Sequence, residues 1–308
     1  MHQLLTWVVE PGFFASAPAR TAAVIGGVVA VVSAVVGLFT VMRGQSFGGH
    51  ALGDVAAAGG AGALLLGLSP IVGFIGLGIA GAGVMDLIGV RRVRGRDLAT
   101  GIVLGAAIGL TALFLYFDTT GSATTGAAQQ VLFGSIFTAT GTTIPLVAAF
   151  SVLAAGIMAM IWRPLLLATV STDIAAARGV PVRLVGLGYM LALAIAVGLS
   201  SLTIGAILAT ALLIGPAATA LRLTRRMGSA LIVACLTGVA ATWAGVLLAY
   251  DSYYWGTGRQ GLPVSFFIVA VIFTAYLLSG LAGRRAAAQP SGTAAPAHGD
   301  ATRDQVAA

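Results

Sequence analysis

Apolar runs long enough to cross a bilayer recur along almost the whole of this chain, and that recurrence leaves few folds open. A helix needs about 20 mostly apolar residues to traverse the hydrocarbon. Runs of this kind lie at 21–42, 48–68, 71–90, 98–117, 144–162, 184–200, 203–221, 229–249 and 264–282. Inside lipid the backbone must satisfy its own hydrogen bonds, so each run reads as a helix. The expectation is an all-α, polytopic transmembrane helix bundle of nine spans, or eight if one short run is re-entrant. The weakest runs are 48–68, Gly-rich and polar at its start, and the pair meeting around Ser200-Ser201.

Composition supports this and excludes other classes. Charged residues are only 8% of the chain, far from the roughly 25% of soluble domains, and mean hydropathy is +1.02. The net charge of +7 comes from arginines at the ends of apolar runs, with no solvated basic face, so no nucleic-acid partner is expected. All sixteen basic residues are Arg. A Walker A loop needs a phosphate-binding Lys, so ATP hydrolysis by that route is excluded, as is Schiff-base chemistry. The single Cys235 forms no intrachain disulfide. Glu10 and the lack of a basic stretch argue against a cleavable signal peptide.

The arginines also orient the spans. Arg43, Arg91, Arg92, Arg94, Arg96, Arg163, Arg178, Arg183, Arg222, Arg225, Arg226, Arg284 and Arg285 fall at alternate ends. If those ends are cytoplasmic, the N-terminus is external and the C-terminus cytoplasmic. Trp7, Phe13, Phe14, Tyr116, Phe117, Tyr253, Tyr254 and Trp255 then gather at the external side as an interfacial belt. Residues 1–20 form an external segment, 21–285 the transmembrane domain, and 286–308, rich in Ala, Pro and Gly, a disordered cytoplasmic tail. Within 118–143, the stretch Val131–Phe137 is expected to lie along the membrane surface. Gly101, Gly105 and Gly109 form a small-xxx-small ridge, a sign of close helix contact.

Two ionisable groups interrupt the second run. His50 and Asp54 are four residues apart and share a helix face. Ionisable side chains at such depth are costly and mark function. An imidazole and a carboxylate facing one space can hold a divalent cation of borderline softness, or bond each other as helix-to-helix glue. Counted along a continuous helix from Arg43, Asp54 lies about 16 Å deep, near mid-bilayer. Further ligands would come from water, backbone carbonyls or helices near Pro216, since His2 and His298 lie outside the spans. Pro216 itself should kink its helix, either for shape alone or to line a pathway. Asp86 precedes Arg91 by little more than a turn, so pairing with an Arg is its expected role.

A third feature lies in the segment 163–183. Ser171-Thr172-Asp173 offers N-cap candidates, Ile174 to Arg178 a short helix, Gly179 a C′ residue, and Pro181 a stop. Arg178 complements the helix C-terminus. The segment reads as a capped connector or as a lever for a partner.

Four stretches in register resemble the permease subunits of metal-import ABC transporters, the zinc, manganese and iron family. Met42–Val55 resembles the family's Arg-x-x-Ser-Leu-x-Gly-Asp-Ala-Leu-Ser-His-Ala signature, and Val131–Ile136 its Leu-Phe-Gly-Ser-Ile element. Asp173–Pro181 resembles the coupling segment ending in Ala-x-Gly-Val-Pro, and Ala209–Ala220 the Leu-Leu-Ile-x-Pro-Ala-Ala-Thr-Ala block. One departure stands out: the family places Asp first and His four residues later, whereas here His50 comes first and Asp54 second. The ligand set is kept with its order reversed, which bears on metal identity more than on metal transport.

The resemblance implies a homodimer of permeases embedded in lipid, docked on a separate ABC ATPase that binds the ATP, and fed by an external metal-binding protein. It implies no permanently bound cofactor, metal coordination by the first motif, and coupling through Asp173, Ile174, Arg178, Gly179 and Pro181. A secondary transporter or channel would share the intramembrane charges but not the coupling segment. An intramembrane hydrolase built on Ser135 and His50 would need those residues together.

Overall fold

The computed structural model describes Phe13, residues 16–88, 96–121, 126–134, 136–137, 143–253, Trp255 and 261–287. Helices α1 (Ala17–Met42), α2 (Ser46–Leu65), α3 (Pro70–Ile88), α4 (Arg96–Gly121) and α5 (Ala127–Phe133) come first. They are followed by α6 (Thr143–Val170), α7 (Thr172–Ala177), α8 (Val182–Ile204), α9 (Ala206–Leu223), α10 (Met227–Ser252) and α11 (Val264–Ala287). There is no strand among the described residues. Expectations resting on His2, Trp7, Glu10, Phe14, Arg91, Arg92, Arg94, Ser135, Tyr254 and the tail from 288, with the side chains from 282, fall outside the described residues.

Among the described residues, eight helices are long and apolar enough to cross a membrane: α1, α3, α4, α6, α8, α9, α10 and α11. The ninth long helix, α2, falls short because Gly, Ala, His50 and Asp54 dilute its hydropathy. Its location explains how it can. Residues on every side of α2 are buried, among them Gly49, Ala51, Leu52, Gly53, Val55 and Ala56 to Ala61. A helix enclosed by protein does not need the apolar surface that lipid demands. α1 and α8 are also mostly interior, whereas α4 and α6 are mostly exposed and form the flanks.

Three boundaries differ from the sequence expectation, each for a local reason. α6 does not stop at Arg163 but runs through Pro164 to Val170. Leu165 is fully buried there and Thr169 Oγ1 donates to the Leu165 carbonyl at 2.7 Å, which holds the last turns together. The break between α8 and α9 falls at Gly205, not at Ser200-Ser201. Ser200 Oγ and Thr203 Oγ1 donate to the carbonyls of Ala196 and Leu199 at 2.9 and 3.0 Å, so the hydroxyls sit within the helix, and Gly205 takes the φ of 89° that ends it.

The third correction concerns the segment expected along the membrane surface. α5 is instead inserted into the bundle, with Val131 fully buried and Ile136 at 4% exposure. Gly134, at φ 86°, lies against the Thr203 carbonyl, and Gly205 lies against the Leu132 carbonyl. Any Cβ at either glycine would overlap backbone, so the two left-handed residues lock α5 onto the α8–α9 turn.

Between spans the contacts depend on small residues, since lipid supplies no hydrophobic drive for helix association. Gly59 of α2 and Gly73 of α3 meet so closely that a Cβ on either would overlap the other's carbonyl. The ridge of Gly101, Gly105 and Gly109 on α4 does the opposite: a Cβ added at any of them meets nothing within 4 Å among the described residues. Close contact was expected of it, and the chain itself supplies none. Gly59→Leu is therefore expected to lower the thermal unfolding midpoint of the detergent-solubilised protein clearly, and Gly105→Leu to leave it unchanged.

Candidate functional site

The site begins at the turn that joins α1 to α2. Arg43 caps α1, its N–H reaching the Phe39 carbonyl at 2.9 Å; Gly44 follows at φ 60°. Gln45 N–H reaches the Thr40 carbonyl at 2.9 Å and Gly44 N–H the Val41 carbonyl at 3.1 Å. These bonds make a Schellman turn, and it reverses the chain within three residues. Because the helix restarts at Ser46 rather than continuing from Arg43, His50 stands about 6 Å and Asp54 about 12 Å along α2. The 16 Å estimate is thereby corrected, yet Asp54 still lies near the middle of a 20-residue helix.

His50 and Asp54 do share a face. His50 Nε2 and Asp54 Oδ2 are 3.7 Å apart, too far for a hydrogen bond and near enough to face one space. The other ring nitrogen, Nδ1, pairs with Thr210 Oγ1 of α9 at 2.9 Å. Asp54 Oδ2 is buried and has no hydrogen-bond partner. Side-chain exposure is 37% for His50 and 13% for Asp54, so the pair opens to space at the His50 end. Gly49 and Gly53 allow this closeness: a Cβ on Gly49 would stand 3.0 Å from Leu213 of α9, and one on Gly53 3.1 Å from Val197 of α8.

Two neighbours were not singled out in the sequence. Thr210 carries no motif and is legible only once α9 is laid against α2. Ser201 Oγ, buried and without a hydrogen-bond partner, lies 3.9 Å from the Cβ position of Gly53. Among the described residues no group of three or more His, Cys, Asp or Glu forms a larger ligand cluster. Pro216 is buried within α9, six residues beyond Thr210, and packs toward Gly238 of α10, where an added Cβ would stand 3.6 Å from its ring. Its missing N–H leaves the Leu212 carbonyl without the usual helix donor. Asp86 is half-buried in the last turns of α3.

The short helix α7 forms as its caps predict. Ser171 Oγ accepts from Ile174 N–H at 3.3 Å, Asp173 sits in the first turn, and Gly179 at φ 75° closes a second Schellman turn with Val180 N–H on the Ala175 carbonyl at 3.0 Å. Ala175 is fully buried and anchors the helix. Asp173, Ile174, Arg178, Gly179 and Pro181 all face outward, Ile174 at 51% exposure.

Among the described residues, nine long helices form a polytopic bundle of membrane-spanning character that carries a carboxylate and an imidazole on an interior helix. Residues 18–281 match the ABC 3 transport family, and the chain belongs to it. It is 30% identical over 236 residues to the manganese transport system membrane protein MntC of Halalkalibacterium halodurans, covering 76% of this chain and 78% of that one. It is 30% identical over 247 residues to the chelated iron transport system membrane protein YfeC of Yersinia pestis, covering 79% of each. The solved structure of PsaBC from Streptococcus pneumoniae in complex with Fab superposes with a TM-score of 0.75 over 90% of this chain and 95% of that one, at 24% identity. The chain is a multi-pass permease of the cytoplasmic membrane, of the metal-import ABC type.

The Thr210 contact gives a direct spectroscopic expectation. In nitrogen-labelled protein the His50 ring should show one tautomer, and Thr210→Val, which keeps the shape and removes the hydroxyl, should mix the two; an unchanged His50 signal would show the contact to be idle.

Proposed function

We propose that the chain is the permease subunit of an ATP-driven importer that moves a divalent metal ion (zinc, manganese or iron) across the cytoplasmic membrane, past His50 and Asp54. The observation that carries this reading is the 3.7 Å gap between His50 Nε2 and Asp54 Oδ2 on a helix enclosed by protein. Two ligand atoms bound to one tetrahedral metal, each about 2.1 Å away, stand roughly 3.4 Å apart. The pair therefore needs little movement to share an ion.

The chemistry of the surroundings agrees. In the tautomer this reading requires, Nδ1–H donates to Thr210 Oγ1 and the Nε2 lone pair faces Asp54, the second-shell device that fixes a metal-binding imidazole. A buried carboxylate oxygen without a donor is costly, and a passing cation supplies what it lacks. Two side-chain ligands, completed by water or backbone carbonyls, hold an ion weakly enough to release it. Nitrogen and oxygen donors suit zinc, manganese and iron alike. Relatives named for manganese and chelated iron transport support the cargo class.

The remaining parts follow from the same reading. A chain without lysine leaves ATP hydrolysis to a separate ABC ATPase, so this subunit is not itself an enzyme. α7 is the coupling element, engaged through Asp173, Ile174, Arg178, Gly179 and Pro181. The arginine distribution places α7 and the C-terminal tail of 286–308 in the cytoplasm and residues 1–20 outside, where a metal-binding protein docks. The working unit is a homodimer of the 21–285 permease domain, and the bend at Pro216 lines its path.

The test is metal uptake by His50→Ala and Asp54→Ala permeases that still assemble with the ATPase. Both are expected to lose uptake of manganese(II), zinc(II) and iron(II); unchanged uptake in both would refute the site. Thr210→Val should retain uptake but weaken metal binding by roughly tenfold.

A further inference from the structure

Arg43 opens the first signature motif, yet neither the metal site nor the ATPase-facing helix uses it. Its side chain sits between the two. Arg43 Nη1 donates to Thr169 Oγ1 at 3.3 Å, in the last turn of α6, two residues before the Ser171 cap of α7. The Thr169 proton is already given to the Leu165 carbonyl at 2.7 Å, so the lone pairs of Oγ1 are what Arg43 meets. A cation there also complements the C-terminal end of the α6 dipole.

On its other side the guanidinium lies over the Tyr189 ring of α8, 5.2 Å from its centroid. Tyr189 is fully buried, and its hydroxyl meets Thr40 Oγ1 of α1 at 2.9 Å. Thr40 donates its own proton to the Val36 carbonyl at 3.0 Å, so the Tyr189 O–H is the donor between them. One side chain thus ties the ends of α1 and α6 to a residue two turns into α8. The Schellman turn that follows allows no slack: three residues separate α1 from α2, and His50 stands one turn into α2.

We propose that Arg43 is a positioning residue that transmits movement of α7 to His50 and Asp54, converting a push on the α7 end into a change at the metal site. The inference rests on the proposed importer and adds the side chain by which it is coupled. A displacement of the α6–α7 junction pulls Thr169 and the guanidinium together, and the rigid turn passes that displacement to the start of α2. Thr169 and Tyr189 act through Arg43, and neither touches the ion.

The experiment measures manganese(II) uptake and ATP hydrolysis in the same proteoliposomes, with the permease, its ATPase and its binding protein reconstituted together. Manganese binding to the permease is measured in parallel. Arg43→Ala is expected to bind manganese and hydrolyse ATP within about twofold of wild type, while uptake per ATP falls about tenfold. Arg43→Lys, which keeps a cation over Tyr189, should recover much of that ratio. Thr169→Val, a near-isosteric change that removes the acceptor together with the bond to the Leu165 carbonyl, should lower the ratio several-fold even if Arg43→Ala fails to assemble, while Thr169→Ser, which keeps the hydroxyl, should not. An unchanged ratio in Thr169→Val, or uptake and hydrolysis falling in equal proportion in Arg43→Ala, would overturn the inference. Absence of wild-type uptake of manganese, zinc and iron would instead overturn the importer reading and this inference with it.

Discussion

A carboxylate and an imidazole one turn apart, on a helix that protein encloses over most of its length, set the terms for the rest of this structure. An aspartate at the centre of a lipid-exposed span costs about 2.5–3.5 kcal/mol in insertion. α2 tolerates Asp54 because α3, α4, α8 and α9 stand where lipid would be. Those neighbours can approach only where α2 is small, which is why Gly49, Gly53, Gly59 and Gly60 line its contacts. The low hydropathy that separates α2 from the other eight long helices is the consequence. The polar pair and the glycine-rich packing are one solution, since neither is workable alone.

Most of the architecture was legible because a membrane leaves backbone few choices. Nine apolar runs became nine long helices, with ends shifted by a few residues. The errors came where side chains override hydropathy. Arg163 looks like a boundary, but a fully buried Leu165 carries the helix past it. Ser200 looks like a break, but its hydroxyl bonds back into its own helix. α5 looks interfacial by composition, and only the facing glycines at 134 and 205 reveal that it is inserted.

The site was legible in part, for a different reason. His50 and Asp54 stand out in any apolar run, and their four-residue spacing carries their shared face. Thr210 and Ser201 are ordinary residues for a membrane helix, and their relevance depends on which helix faces which. Arg43 was visible as a charge at the end of a span. Its contacts with Thr169 and Tyr189 join residues more than a hundred positions apart, so no local pattern could disclose them. The α7 caps were the most legible feature, because N-cap and C′ chemistry is written in consecutive residues.

The two ends of the bundle are built differently. At one end α7 is held by Ala175 and presents an apolar Ile174 beside Asp173, while Arg43 bonds Thr169 at the end of the preceding α6. At the other, α5 is locked backbone to backbone over the α8–α9 turn. The central claim, that a divalent ion passes between His50 and Asp54, is tested most directly by anomalous diffraction at the manganese edge from the assembled, metal-loaded transporter. The account predicts a peak within about 2.0–2.2 Å of His50 Nε2 and an Asp54 oxygen. A metal peak elsewhere along the bundle, with both side chains sealed from it, would contradict the account.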